Sequence, residues 1–150
     1  MGLPVGSSMP EFSLKDQDGN WFHSRDYAGR NPLVIFFYPK DFTPGCTAEA
    51  CAFRDAYEDF TEAGALVIGI SSDSASSHSN FARRHRLPYV LLSDPSREVR
   101  RKFRVENQLL NLLPGRETFV VDREGKVVMA FRGMGSSGHV PRALKALKQL

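Results

Sequence analysis

Two rhythms of apolar and polar positions run along the chain. Leu33-Val34-Ile35-Phe36-Phe37-Tyr38 is an unbroken apolar run stopped by Pro39. Its length and its β-branched and aromatic content predict a strand buried on both faces. Residues 65–71 predict a second such strand. Between them, Thr43-Pro44-Gly45-Cys46 reads as a helix start. Threonine is a favoured cap, and proline at the first helical position gives up only an N–H that has no helical partner. The helix continues over 48–61, with Ala52, Phe53, Ala56, Tyr57 and Phe60 as its apolar stripe, and Gly64 ends it. Residues 11–14 predict a short strand, 15–20 a turn and Trp21–His23 a return strand. A serine-rich stretch over 71–79 leads into a helix that reaches His85. A strand follows at 89–92 and a short helix within 95–105. Residues 118–122 and 127–131 form a hairpin about a glycine-containing turn, and a helix covers 140–150. The order is β-hairpin, β-α-β-α-β-α, β-hairpin, α. It predicts a single three-layer α/β domain over 1–150, with a mixed central sheet flanked by helices, parallel in its middle and antiparallel at an edge.

Composition narrows the class. Of 150 residues, 41% are apolar and 25% charged, which excludes a disordered tail, a collagen-like rod and a coiled coil. A chain of this length buries about 70% of its extended surface on folding and needs no disulfide or metal to do so. The apolar runs fall far short of the roughly 20 residues of a membrane helix, so no membrane role is expected. Residues 1–10 lack the basic head and apolar core of a signal peptide; the expectation is a cytoplasmic protein. The net charge of +3 is unevenly spread. Residues 1–82 carry −6 and residues 83–104 carry +6, through Arg83, Arg84, Arg86, Arg97, Arg100, Arg101, Lys102 and Arg104. Without interleaved aromatics or zinc-finger spacing, this stretch reads as a solvated face rather than a specific nucleic-acid site.

The pointed chemistry lies between Tyr38 and Cys51. With Thr43 as cap, Cys46 takes the third helical position, among backbone N–H groups that lack helical partners. A helix terminus contributes about 1–2 kcal/mol toward an anion such as a thiolate; a cationic neighbour is expected to supply much of the rest. Cys46 is therefore expected to be a partly exposed thiolate and Cys51 a less acidic thiol. Five residues apart on an ideal helix, their α-carbons lie about 8.6 Å apart and roughly 140° out of phase, beyond the reach of a disulfide. If the two form a disulfide, the first turns must unwind. His23, His78, His85 and His139 show no ligand spacing with either cysteine, so no metal is expected. The glycines of 133–138 lack the context of a phosphate cradle and read as a hinge before the last helix.

The run Tyr38-Pro39-Lys40-Asp41-Phe42-Thr43-Pro44-Gly45-Cys46-Thr47-Ala48-Glu49-Ala50-Cys51 resembles the active-site segment of Q-type peroxiredoxins, the bacterioferritin comigratory proteins. It holds the family pattern Pro-x-x-x-Thr-x-x-Cys at Pro39, Thr43 and Cys46, with a second cysteine five residues on. Phe12-Ser13-Leu14, Val67-Ile68-Gly69-Ile70-Ser71, Leu91-Leu92-Ser93-Asp94-Pro95 and Gly115-Arg116-Glu117-Thr118-Phe119-Val120-Val121-Asp122 extend the resemblance over essentially the whole chain. The resemblance implies a thioredoxin-like fold with an N-terminal β-hairpin extension. It implies a thiol-dependent peroxidase acting on hydrogen peroxide and organic hydroperoxides, with no cofactor and with thioredoxin as reductant. Cys46 would be the peroxidatic cysteine and Cys51 the resolving one, joined in an intramolecular disulfide. Thr43 would bind peroxide, Arg116 would stabilise thiolate and transition state, Pro39 would shield the pocket and Glu49 would orient the arginine. Phe42 would favour apolar peroxides, and the leucines of 109–113 would cover the site or meet another subunit. A monomer, or at most a weak dimer, is expected. The rival readings are a thiol–disulfide exchanger or peroxide sensor using the same cysteines, and a non-enzymatic holdase.

Overall fold

The alternation within the first long apolar run sets the layers. The computed structural model describes residues 2–105, 115–133 and 135–150. In it β3 (Leu33–Phe37) sends Val34 and Phe36, with Tyr38 beyond its end, to one face, and Leu33, Ile35 and Phe37 to the other. All six are fully buried, so this strand needs apolar residues at every position. It is the hub of a seven-stranded sheet with β1 (Ser13–Asp16), β2 (Trp21–His23), β4 (Leu66–Ser71), β5 (Val90–Ser93), β6 (Glu117–Val121) and β7 (Val127–Arg132). The order is β2-β1-β5-β4-β3-β6-β7. β3, β4 and β5 are parallel neighbours, and every other pairing is antiparallel. The two hairpins thus close opposite ends of the sheet.

The layers are unequal. On one face, α1 (Pro44–Asp55), α2 (Tyr57–Glu62), α3 (Ala75–His85) and α5 (His139–Lys148) pack around Phe36, with Phe53 stacked on it at 4.4 Å. The other face carries α4 (Glu98–Lys102), residues of the N-terminal hairpin and a cluster of Phe12, Phe22, Phe37, Phe103 and Phe119. Truncating a buried phenylalanine to alanine in such a cluster costs about 3–5 kcal/mol.

Three local expectations need correcting. The first strand lies two residues later than the pattern placed it, because Lys15 and Asp16 pair with Ser93 and Leu92 of β5. The helix expected over 48–61 is two helices, broken at Ala56, whose φ of −97° and ψ of 7° leave the helical region. The stripe that faces the sheet in α1 is Cys46, Glu49, Ala50 and Phe53, at i, i+3, i+4 and i+7, rather than one led by Ala52. The leucines of 109–113 lie outside the described residues.

Candidate active site

α1 begins where β3 ends, so its first turn sits at the carboxyl edge of the parallel strands. Thr43 occupies the cap with extended backbone (φ −78°, ψ 150°) and Pro44 follows it. Its hydroxyl does not cap the helix but donates to the Lys40 carbonyl at 2.8 Å. That bond closes the loop Pro39–Thr43 on itself and leaves the first N–H groups of α1 without a side-chain acceptor. Phe42, just before the cap, is held at φ +66°, a left-handed conformation that costs a non-glycine residue about 1–2 kcal/mol. Its half-exposed ring is edged against Phe81 at 5.1 Å.

A second anchor holds the loop from behind. Asp41, buried, accepts from the Tyr38 hydroxyl at 2.6 Å and from the Ser77 hydroxyl at 2.8 Å, and meets His78 Nδ1 at 2.7 Å. His78 Nε2 faces the Leu92 carbonyl at 3.0 Å. Burial, and then Asp41, push the Tyr38 phenol well above its ordinary range, so it stays a donor. Asp73 accepts from the Asp41 backbone N–H at 2.8 Å. Asp41, Asp73 and His78 come close enough to hold a metal ion, yet these hydrogen bonds already bind them to the loop and to one another.

Cys46 is 2% exposed, which corrects the expectation of a partly exposed thiol. The cause is its place on the inward stripe of α1. Arg116 reaches it across the sheet edge, Nη2 donating to Cys46 Sγ at 3.3 Å while Nη1 donates to Glu49 Oε1 at 2.7 Å. The approach at Gly45 is close: a Cβ there would stand 3.2 Å from Arg116 Nη2, so a side chain would press on the guanidinium by a few tenths of an ångström. Glu49 is fully buried, and burial raises its carboxyl to about 7 against the opposing pull of Arg116. Despite its own burial, Arg116 is held above its usual range by Glu49 and Cys46. The structure thus brings Cys46, Glu49 and Arg116 into contact. It places Thr43 in the turn that opens α1 and Pro39 at the start of the loop. Cys51 is half-buried on the next turns of α1, and both thiols are free.

Sequence reasoning missed two further residues. His139, which opens α5, is buried beside Glu49 Oε2 at 3.3 Å and meets the Thr118 hydroxyl at 2.7 Å. Arg100, read as part of a solvated basic face, is buried instead: it donates to the carbonyls of Gly115 and Tyr38 at 2.9 and 3.3 Å and lies over the Phe37 ring. Burial lowers it to about 10. It is turned inward because Asp94 caps the short α4 through the N–H groups of Val99 and Arg100.

Comparison with known proteins agrees with this geometry. Residues 5–130 match the AhpC/TSA family. The chain is 49% identical over 144 residues to chloroplastic peroxiredoxin Q of Gentiana triflora, covering 95% of this chain and 66% of that protein. It is 47% identical over 146 residues to the Sedum lineare protein, covering 97% and 78%. Among solved structures, peroxidoxin BcpB of Mycobacterium tuberculosis superposes with a TM-score of 0.90 at 36% identity, over 99% of this chain and 98% of that one. The bacterioferritin comigratory protein of Xanthomonas campestris, described for alkyl peroxide reduction, does so with 0.85 at 36% identity, over 92% and 90%. With its thioredoxin-like mixed sheet and a cysteine–arginine pair at the head of α1, this chain belongs to the AhpC/TSA family, among the thiol-dependent peroxidases of the peroxiredoxin Q and bacterioferritin comigratory type.

Proposed function

We propose that Cys46 is the peroxidatic cysteine, that Cys51 resolves it, and that a thioredoxin-like dithiol resets the pair. The observation that carries this reading is the 3.3 Å contact from Arg116 Nη2 to a sulfur on the first turn of α1. Two positive features, the guanidinium and the unpartnered N–H groups of that turn, converge there. The Cys46 thiolate attacks the terminal oxygen of ROOH, the S–O bond forms as the O–O bond breaks, and the electron pair leaves on RO⁻, which takes a proton to become ROH. Donors aimed at charge that grows on the leaving oxygen stabilise the transition state more than the ground state. Thr43 stands at this turn to bind the peroxide, and Pro39 at the loop start to shield it. The sulfenic acid on Cys46 then condenses with the Cys51 thiol, releasing water and leaving a disulfide. A partner dithiol attacks that disulfide and regenerates both thiols.

The substrate class in this reading includes hydrogen peroxide and organic hydroperoxides. The half-exposed Phe42 ring beside Thr43 offers an apolar surface to an alkyl group, as the alkyl peroxide activity of the Xanthomonas relative also favours. A reducing, cytoplasm-like setting, where dithiol proteins are available, belongs to the same proposal. Peroxide consumption coupled to oxidation of reduced thioredoxin tests it. Turnover with the native chain and none with Cys46→Ser is the expected result; equal turnover in both would overturn the assignment.

A further inference from the structure

The peroxidatic loop and the arginine that meets Cys46 both begin where the sheet stops holding them together. β3 and β6 pair from Leu33 opposite Val121 to Phe37 opposite Glu117. Tyr38 and Arg116 lie past that last rung. Tyr38 leads into Pro39 and the loop to Thr43, and Gly115 leads into Arg116, whose Nη2 stands 3.3 Å from Cys46 Sγ. The aim of that guanidinium depends on the relative placement of two chain ends that the ladder does not join. Their own main-chain bonds run to other segments: the Tyr38 N–H donates to the Ile70 carbonyl of β4 at 3.1 Å, and the Arg116 carbonyl accepts from the Gly133 N–H, just past β7, at 3.2 Å.

Arg100 makes the missing connection. Its Nη1 donates to the Gly115 carbonyl at 2.9 Å and its Nη2 to the Tyr38 carbonyl at 3.3 Å. A guanidinium is a rigid planar fork, so bonds from its two Nη atoms fix the separation of their acceptors. The root of the fork is fixed as well. Buried Asp94 accepts from the N–H groups of Val99 and Arg100, and its own N–H donates to the Ser71 carbonyl at 2.8 Å. Phe103, just past α4, packs on Phe37 and Phe119, and the Arg100 guanidinium lies 5.7 Å from the centre of the Phe37 ring. Burying a cation is costly, and a long basic side chain ordinarily carries its charge out to water. Arg100 is only 5% exposed and gives its fork to two carbonyls instead. It stays cationic: burial, then Arg97, lower it to about 10, while Asp94, Glu117 and, least of all, Cys46 hold it up. With so weak a direct pull on the sulfur, Arg100 reaches Cys46 by way of Arg116.

We propose that Arg100 is a positioning residue of the peroxidatic site: by donating to the Tyr38 and Gly115 carbonyls together, it fixes the two strand ends that carry Pro39 and Arg116, and so sets the aim of Arg116 at Cys46. The proposal rests on Cys46 as the reacting thiolate, but one of its two tests needs no peroxide.

The first test is the rate of Cys46 oxidation by peroxide, read in a double-variant cycle. Arg100→Met keeps an unbranched apolar chain over Phe37 but gives up the fork. It should slow oxidation by about fivefold or more on the native background, since a small misplacement of a group at the reacting centre is enough for that. On the Arg116→Ala background it should change the rate by less than about twofold, because no guanidinium is left to aim. General loosening of the fold, or direct action of the Arg100 charge on the sulfur, would slow both backgrounds equally and overturn the proposal. An unchanged rate on the native background overturns it too. Arg100→Lys keeps the charge without the fork and should be slowed as the methionine variant is; a native rate in it would overturn the bridging role. The second test is NMR of the guanidinium nitrogens in the native reduced protein, which does not depend on any variant folding. With both Nη groups held, rotation about the Arg100 Nε–Cζ bond should be slow and its Nη signals separately resolved; one averaged signal would overturn the bridge. Resolved signals in a protein whose Cys46 does not react with peroxide would count against the peroxidase reading and leave the bridge standing.

Discussion

The first turn of α1 and the turns that follow it carry the same side chain in opposite settings. Cys46 faces the sheet, buried, with a guanidinium on its sulfur. Cys51, five residues later, is half-buried and off that stripe. The cation nearest to it in sequence, Arg54, is close enough to feel its charge but gives its hydrogen bonds elsewhere, donating to the His85 carbonyl at 2.7 Å and pairing with Asp55. Helical geometry does both jobs. Positions i, i+3 and i+4 put Cys46, Glu49 and Ala50 on one line, whereas i+5 turns Cys51 roughly 140° away. In the proposed cycle, the turn that holds one thiol against Arg116 keeps the other out of its reach, so the helix must open between them for a disulfide to form.

Exchanging the two cysteines one at a time should break this comparison most sharply. In Cys46→Ser, peroxide should produce no sulfenic acid on Cys51, as read by dimedone labelling and mass spectrometry. In Cys51→Ser, Cys46 should form sulfenic acid at a rate within about twofold of native while multiple turnover with thioredoxin is lost. Labelling of Cys51 at a native-like rate in Cys46→Ser would mean that the two settings do not differ in reactivity.

The next effect is on stability. Glu49 holds its proton to about 7 in the folded chain and releases it near 4.5 when unfolded. Between those values the native state binds more protons than the unfolded one, so stability is full below about 4.5 and falls as pH rises through about 7. The total is about 3 kcal/mol. His139, held below its ordinary range, contributes with the opposite sign, since the unfolded chain binds that proton more readily. Comparing urea denaturation of native protein and Glu49→Gln at pH 5 and pH 8 isolates the glutamate: the native protein should lose about 2.5 kcal/mol more over the interval. Parallel curves would show that Glu49 is ionised throughout.

Arg116→Ala should slow Cys46 oxidation by about tenfold or more, 1.4 kcal/mol or above, as measured by competition against a second peroxidase. It should leave alkylation of Cys51 within about twofold, which is what separates the two turns. Equal slowing at both cysteines would point to general loosening of α1. The smallest change is expected from Tyr89→Phe. The Tyr89 hydroxyl donates to the Ala50 carbonyl at 2.6 Å, pinning the helix between the cysteines. Its removal should cost about 1 kcal/mol and speed disulfide formation by severalfold without altering the first step; slower resolution would contradict the pinning role.

The parts of the fold written in contiguous residues were legible in the sequence. The buried strands, the Thr-Pro helix start and the hairpins depend on local pattern, and the resemblance around Thr43, Cys46, Glu49 and Arg116 led to side chains that the structure places at one end of the sheet. What stayed hidden depends on contacts between distant segments. His139 reaches Glu49 only because β6, β7 and the left-handed Gly138, at φ +89°, deliver the start of α5 to the back of α1. Arg100 sits among eight basic residues whose pattern gives no hint which one turns inward; the five-residue α4 is too short to show a period, and the Asp94 cap decides it. The partial exposure expected for Cys46 failed for the same reason. Its position on the helix was read correctly, but which stripe of the helix meets the sheet is set by the packing of Phe53 on Phe36.

Hydrogen exchange over α1 tests the central claim most directly. Amide protection should be measured for Pro44–Asp55 in the reduced protein and again after one equivalent of peroxide, with a Cys46–Cys51 disulfide confirmed by mass spectrometry. The account predicts strong protection around Cys46–Cys51 in the reduced form and its loss over those turns in the oxidised form, with the strands unchanged. Equal protection in both states, in the presence of the confirmed disulfide, would contradict it.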